Sequence, residues 1–372
     1  MDNRSLYIIG RPGVGKSTAI ENLFFEELEN DTALFLIDPH GETLSRIADA
    51  LPRSVIKRTR VIDPEDCCIG FDPLKYIDLT HEGLKSIWAD TWGARMDWIL
   101  RVSEMTVAAN GLTLHDIPRL FFDQRFRITC LKKITNRDIR DFWLQEFPAK
   151  YEKARDNPDS PILNKIGQLK LSPIDKILCQ KSPKLDFTQA IEERLIVLVS
   201  LNKAFVGDQS VGILGALTTA SIMGATLQVN AKRIRALKKP LKVALFADEF
   251  PLFGTSLYRT ILAEYRKYGL NRVVVASQHI TQIEVSLRES ILSNVGEKII
   301  FNIEPQDAEI LAPYYDRSTP GSETFNIANI TELPPFHALV DGVTTTMPPF
   351  TPPYGTGKLE DVRLHSRLHF AR

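Results

Sequence analysis

Apolar residues recur along the chain with two different spacings. Near-continuous runs at LYII (6–9), TALFLID (32–38), RLIVLVSL (194–201), LKVALFADEF (241–250), NRVVVASQ (271–278) and EKIIFNI (297–303) predict strands covered on both faces. Between them the spacing changes to three and four. Residues 18–30 place Ile20, Leu23, Phe24 and Leu28 on one helical face, and 42–51, 208–232, 255–268 and 281–293 also read as helices. From about 82 to 190 strand-like runs vanish. Helical segments follow one another there, punctuated by HDIP (115–118), FP (147–148), NPDSP (157–161) and SP (172–173). HALVDGV (337–343) predicts a last strand, and 344–372 a loose extension. Alternation, interrupted once and then resumed, predicts an α/β fold with a mostly parallel sheet and an inserted all-helical domain.

Composition narrows this picture. The 372 residues are 44% hydrophobic and 25% charged, enough for a buried core and too apolar for a disordered chain. Forty-six Lys and Arg balance forty-six Asp and Glu, which excludes a strongly basic nucleic-acid coat protein but not an enzyme with local patches. The four cysteines show no CxxC or Cys/His metal spacing, and a reducing, cytoplasmic setting fits them. The uncharged stretch between Asp208 and Lys232 is long enough to span a bilayer, but its Thr218, Thr219, Ser221, Thr226 and Asn230 favour a buried helix of a soluble domain. No signal peptide precedes the first motif, and no integral membrane segment is expected.

Chemistry enters at the first strand–helix junction. Gly10, Arg11, Pro12, Gly13, Val14, Gly15, Lys16 and Ser17 match GxxxxGK[ST] without a gap, with a strand before and a helix after. Backbone N–H groups of such a loop curl around phosphates, helped by the helix dipole. Lys16 is placed for the β- and γ-phosphates, the Ser17 hydroxyl for Mg²⁺, and Thr18 near the α-phosphate. The cofactors expected are therefore ATP and Mg²⁺. The second half of such a site is a carboxylate ending an apolar strand, and VALFADEF supplies Asp248 for the Mg²⁺ shell and Glu249 to take a proton from the attacking water. Gln278, at the end of VVVASQ, is a third candidate, placed to touch γ-phosphate or water. A GTPase needs NKxD, and Phe205 stands where LNKAF would need its Asp. No LSGGQ marks an ABC-type ATPase. Adjacent Asp-Glu followed by a strand-end Gln favours a RecA-like P-loop NTPase.

These segments carry a resemblance. YIIGRPGVGKST, FLIDPHGE, DIPRLFFDQRFR, SPILNKIGQ, FADEFPLFG, ILAEYRKYGLNRVVVASQ, ILSNVGEKIIFNIEPQDAEIL and ELPPFHALVDG occur in the order seen in the HerA–FtsK superfamily, over roughly residues 5 to 350. The chain resembles the cytoplasmic ATPase domain of conjugative coupling proteins of the TraG/TraD type. The resemblance implies an ATP-hydrolysing, DNA-translocating homohexamer of type IV secretion, with Arg266 reaching a neighbour's γ-phosphate. Relaxase or secretion-channel proteins become candidate partners, and a cytoplasmic location at the inner face of the membrane, held there by partners, becomes the expected one. Two departures stand out: membrane-bound relatives carry N-terminal spans that this sequence lacks before Gly10, and Arg11 and Pro12 stiffen the loop. The organisation expected is a nucleotide-binding domain over 1–85 and 190–345, a helical insertion over 86–189 and an extension over 346–372.

Within 119–184 fifteen Lys and Arg face eight Asp and Glu, a surplus of seven, interleaved with Phe121, Phe122, Phe126, Phe142, Trp143 and Phe147. The aromatics are expected inside the insert. The charges suit a phosphate-binding surface and solvated helices equally. Phe253–Tyr258 and 204–210 are candidate pore segments. A protein-driving ATPase and a slow nucleotide-switched DNA-binding adaptor remain alternatives to a DNA motor.

Overall fold

A computed structural model describes residues 5–150, 160–170, 173–253, 255–315, 330–340, 343–347 and 359–370. The apolar runs become strands β1 (Leu6–Ile9), β2 (Ala33–Asp38), β4 (Ile196–Ser200), β5 (Val243–Ala247), β6 (Leu270–Ser277) and β7 (Glu297–Ile300). Three more join them: β3 (Thr59–Ile62), β8 (His337–Val340) and β9 (Val343–Thr346). Together they form a nine-stranded sheet ordered β3-β4-β2-β5-β6-β1-β7-β8-β9. Pairing is parallel from β3 through β7 and antiparallel for β8 and β9. The predicted α/β class and mostly parallel sheet are thus observed. β3 lies outside the predicted runs because Arg60 interrupts its apolar residues. Its guanidinium donates to the carbonyls of Lys57 and Thr59 and lies 3.8 Å from the centre of the Phe370 ring.

Two apolar layers sandwich the sheet. Ile8, Leu34, Leu36, Phe246 and Val274 face helices α1 (Lys16–Leu28) and α2 (Glu42–Ala50), whereas Tyr7, Phe35, Ile37, Leu245 and Val275 face the other side. On that side runs the helix Asp208–Arg235. Among the described residues it is the one helix long and apolar enough to cross a membrane, and it is mostly buried here. Its polar side chains are satisfied internally: Thr218, Ser221 and Thr226 each donate to the carbonyl four residues earlier. Gly215 and Gly224 are notches, since a Cβ at either would come within 2.5 Å of Phe253 or Tyr76.

Between β3 and β4 the described chain is helical, as expected. Helix Ile77–Ile87 lies along Asp208–Arg235, and the following segments gather Phe121, Phe142, Trp143 and Phe147, all buried and continuous with the core on this face of the sheet. Trp143 donates to Thr106 Oγ1 at 2.9 Å. Phe126 is half-buried and Phe122 exposed, so the expectation of interior aromatics fails for Phe122. Entry and exit meet where Phe71 bridges Leu185.

The expected loose extension is corrected for 344–346, which belong to β9, and for 359–370. Helix Leu359–His369 packs on β3 and α2, burying Val362 and Ser366. Ser366 Oγ accepts the Val61 N–H at 3.1 Å, and Arg363 pairs with Asp63 at 2.9 Å. An edge strand with open backbone donors is a liability, and this helix covers it. The expected extension over 348–358 lies outside the described residues.

Candidate nucleotide site

The candidate loop leaves β1 at the carboxyl edge of the parallel strands. Gly13 and Gly15 take φ of 77° and 119°, a left-handed conformation that lets successive N–H groups converge. Gly10 has no room for a side chain, because a Cβ there would lie 2.7 Å from Phe301 Cβ. Lys16, the first residue of α1, is buried. Its Nζ donates to the carbonyls of Gly10 at 2.7 Å and Arg11 at 3.1 Å, spanning the mouth of the loop. Arg11 is held outward by Glu304 at 2.8 Å, and Pro12 is exposed. Ser17 is half-buried, and Thr18 is buried one residue further along the helix.

The two acids arrive from β5. Asp248 follows Ala247 directly, and its Oδ2 accepts the Thr43 hydroxyl at 3.3 Å. Glu249 sits at φ 44°, a strained conformation for a non-glycine residue, and its carboxylate comes to 3.9 Å of Lys16 Nζ. Asp248 is only 7% exposed. Burial, then the neighbouring Asp38 and Glu249, push its carboxyl up to about 7. Burial also pushes the Lys16 ammonium below its ordinary value, with Glu249 and Asp248 opposing the shift.

Strand order brings in the third candidate. β6 lies between β1 and β5, and Ser277 pairs with Ile9, so Gln278 emerges beside Gly10. Lys16, Asp248, Glu249 and Gln278 therefore share one corner of the sheet. Arg266 does not join them. It is exposed in the turn Tyr265–Tyr268 that precedes β6, at the opposite edge. The eight residues of β6 span about 25 Å at ~3.3 Å each, so Arg266 cannot reach its own chain's loop.

Sequence reasoning missed three contributors. Asp38 ends β2, is buried, and accepts the N–H groups of His40 and Leu44 at 2.9 Å. An apolar strand ending in Asp, as at Asp248, was its available signal. Asn302, after β7, accepts the Arg11 N–H at its carbonyl and donates from its side chain to the carbonyls of Thr331 and Leu333. Phe336 donates its N–H to the Val14 carbonyl at 2.8 Å. Neither of these two carries a sequence signal, since only the sheet brings them to the loop.

At least five of the fifteen cations in 119–184 bond within the insert. Arg127 is buried, donating to the Leu120 carbonyl, and Arg140 donates to that of Leu131. Arg119, Arg137 and Lys150 pair with Asp123, Asp141 and Glu146 one helical turn away. Lys153 and Arg155 lie outside the described residues. Of the candidate pore segments, Phe253 and Tyr258 are buried against Gly215 and Thr219, whereas Phe205 is 53% exposed.

Solved structures share this architecture. The bacterial conjugative coupling protein TrwBdeltaN70, in an unbound form, superposes with a TM-score of 0.68 at 15% identity, over 94% of this chain and 87% of its own. TrwB in complex with ADP and Mg²⁺ gives 0.66 at 16% identity, over 96% and 89%. VirB4 of Thermoanaerobacter pseudethanolicus gives 0.58 at 12% identity, over 94% and 90%. No family model and no curated protein matches the chain. The likeness is one of fold and covers 94% or more of the chain.

Proposed function

We propose that the chain is an ATP-hydrolysing motor that translocates DNA, working as a homohexamer in conjugation or type IV secretion. The observation that carries this is the meeting of Lys16, Asp248 and Glu249 at the carboxyl edge of the sheet, with Gln278 delivered between them by β6. Loop N–H groups and Lys16 hold the triphosphate. Glu249 takes the proton of the attacking water, and Gln278 reads the γ-phosphate.

The residues fit a divalent cation. Asp248 lies among the carboxylates of Asp38 and Glu249, with Lys16 the nearby cation, and the Ser17 hydroxyl opens the same helix. Ser17 and Asp248 would hold Mg²⁺, which when bound supplies charge neutralisation on the phosphates.

Arg266 stands too far away to act in cis, and this supports a role on the neighbour's γ-phosphate in a ring. The likeness to TrwB, a conjugative coupling protein, supports a role in conjugation, and the DNA substrate follows from the resemblance carried by the motifs. A helical unit over 86–189 inserted into a nucleotide-binding unit is the organisation we adopt, with relaxase or channel proteins as its candidate contacts. A cytoplasmic location, at the membrane through such partners, follows from the same reading.

The test is turnover. Lys16→Ala should remove nearly all ATPase activity, and Glu249→Gln should retain bound ATP. Normal turnover by either variant would sink the assignment. Rates with single- and double-stranded DNA, alongside a mass measurement of the oligomer, test the motor. A rate indifferent to both DNA forms would transfer the reading to a polypeptide substrate or to a nucleotide-switched adaptor.

A further inference from the structure

We propose that Phe336 is the stacking platform for the nucleotide base, and that it makes the site tolerant of either purine. The inference rests on the nucleotide reading above and assigns the part of the ligand which that reading leaves without a partner.

Topology puts Phe336 at the right edge. β8 runs antiparallel to β7, so its first residue, His337, starts at the carboxyl edge where the loop of Gly10–Ser17 sits. Phe336 immediately precedes it. An added Cβ on Gly15 would lie 3.1 Å from Phe336 Cδ1 and 3.1 Å from Phe301 Cε1, so both rings flank that glycine. The two differ in what they do. Phe301 is fully buried beneath the loop, whereas Phe336 is 37% exposed.

The exposed ring is held rather than left to wander. Phe336 donates its N–H to Val14 O at 2.8 Å and accepts the Met347 N–H at 2.7 Å. Asn302 grips the preceding chain at the carbonyls of Thr331 and Leu333, while its own carbonyl takes the Arg11 N–H. The segment is thus tied to the phosphate loop at two points, Arg11 and Val14. Phe336 itself has φ 63°, a conformation that bulky residues adopt only when the surroundings impose it. Five hydrogen bonds and a strained backbone hold beside the loop an aromatic residue that stays 37% exposed.

The ligand supplies the reason. With the triphosphate on the N–H groups of Gly13–Thr18, the base extends past the loop's flank, and a base offers a flat π face. Stacking is indifferent to base identity because every base has such a face. A purine's larger face favours it over a pyrimidine's, and adenine and guanine are then held alike.

The test is equilibrium binding, by calorimetry in Mg²⁺, of ATP, GTP and inorganic tripolyphosphate to the wild-type chain and to Phe336→Ala, Phe336→Leu and Phe336→Trp. The wild type should bind ATP and GTP within a few-fold of one another. Phe336→Ala should weaken both about tenfold or more, while tripolyphosphate is unchanged. Phe336→Leu keeps apolar bulk against Gly15 and should lose as much, whereas Phe336→Trp should retain affinity. Equal losses for all three ligands would make Phe336 a structural wedge and overturn the proposal, as would no loss in Phe336→Ala, or loss for one purine alone. Failure of the wild type to bind tripolyphosphate would instead overturn the nucleotide site itself.

Discussion

Replacing Asp248 by Asn should stabilise the fold at alkaline pH while removing the cation site. Asp248 is buried beside Asp38 and Glu249, and its carboxyl is pushed from 3.8 to about 7. Below pH 3.8 the group carries its proton whether the chain is folded or unfolded. Between 3.8 and 7 the unfolded chain ionises first, so each step up in pH favours unfolding. Above 7 the folded state bears the whole cost. Three pKa units at ~1.4 kcal/mol each give about 4 kcal/mol. The amide escapes that cost but keeps one acceptor oxygen for two donors, Thr43 Oγ1 and the Glu249 N–H, a loss of about 1 kcal/mol. Asp248→Asn should therefore be less stable than wild type by ~1 kcal/mol near pH 3 and more stable by ~3 kcal/mol near pH 8. Urea denaturation of both proteins at several pH values reads the difference, and titrating groups away from this corner cancel in it. Parallel stability curves across pH 4 to 8 would refute the placement of a destabilised carboxyl at this corner. The functional sign is opposite: metal ligands must be deprotonated, so Mg²⁺-dependent nucleotide binding should strengthen as pH rises through about 7 and vanish in the variant.

Arg266→Ala should abolish turnover with nucleotide affinity intact, and mixing it with Glu249→Gln should restore part of the activity, since hybrid interfaces pair an intact Arg with an intact Glu. No restoration would place Arg266 outside a shared site. Trp143→Ala removes a side chain buried against Phe142 and Phe147, together with the indole N–H that donates to Thr106 Oγ1. It should cost about 3–5 kcal/mol in denaturant unfolding, and unaltered stability would deny the insert its aromatic core. Ser366→Ala deprives the Val61 N–H of its acceptor, so ~1–3 kcal/mol of stability should be lost, together with faster hydrogen exchange at Val61. Unchanged exchange would show that the helix Leu359–His369 does not seal this edge.

Local patterns determined much of this protein. Short near-continuous apolar runs bounded by turn residues read as strands covered on both faces, and each of the six predicted runs contains one. The glycine loop was legible because phosphate binding demands positive φ at fixed spacing, which Gly13 and Gly15 adopt. Asp248 and Glu249 were legible because an acid at the end of an apolar strand is costly unless it has work to do. Order across the sheet is a different kind of information. β6 pairs on one side with β5, the strand before it, and on the other with β1, more than two hundred residues away, and only that insertion sets Gln278 beside Gly10. The same holds for β3, whose Arg60 masks it until β4 offers an edge, and for the terminal helix, whose Ser366 finds its donor on Val61 across the whole chain. Phe336 is the extreme case. Nothing in ELPPFHALV marks that ring, and it gains a place at the loop because β8 runs backwards and begins where β1 ends. Periodicity and spacing are properties of neighbouring residues and can be read along the chain. Which strand lies beside which is decided by burial summed over the entire sheet, and the nucleotide corner is assembled by that sum.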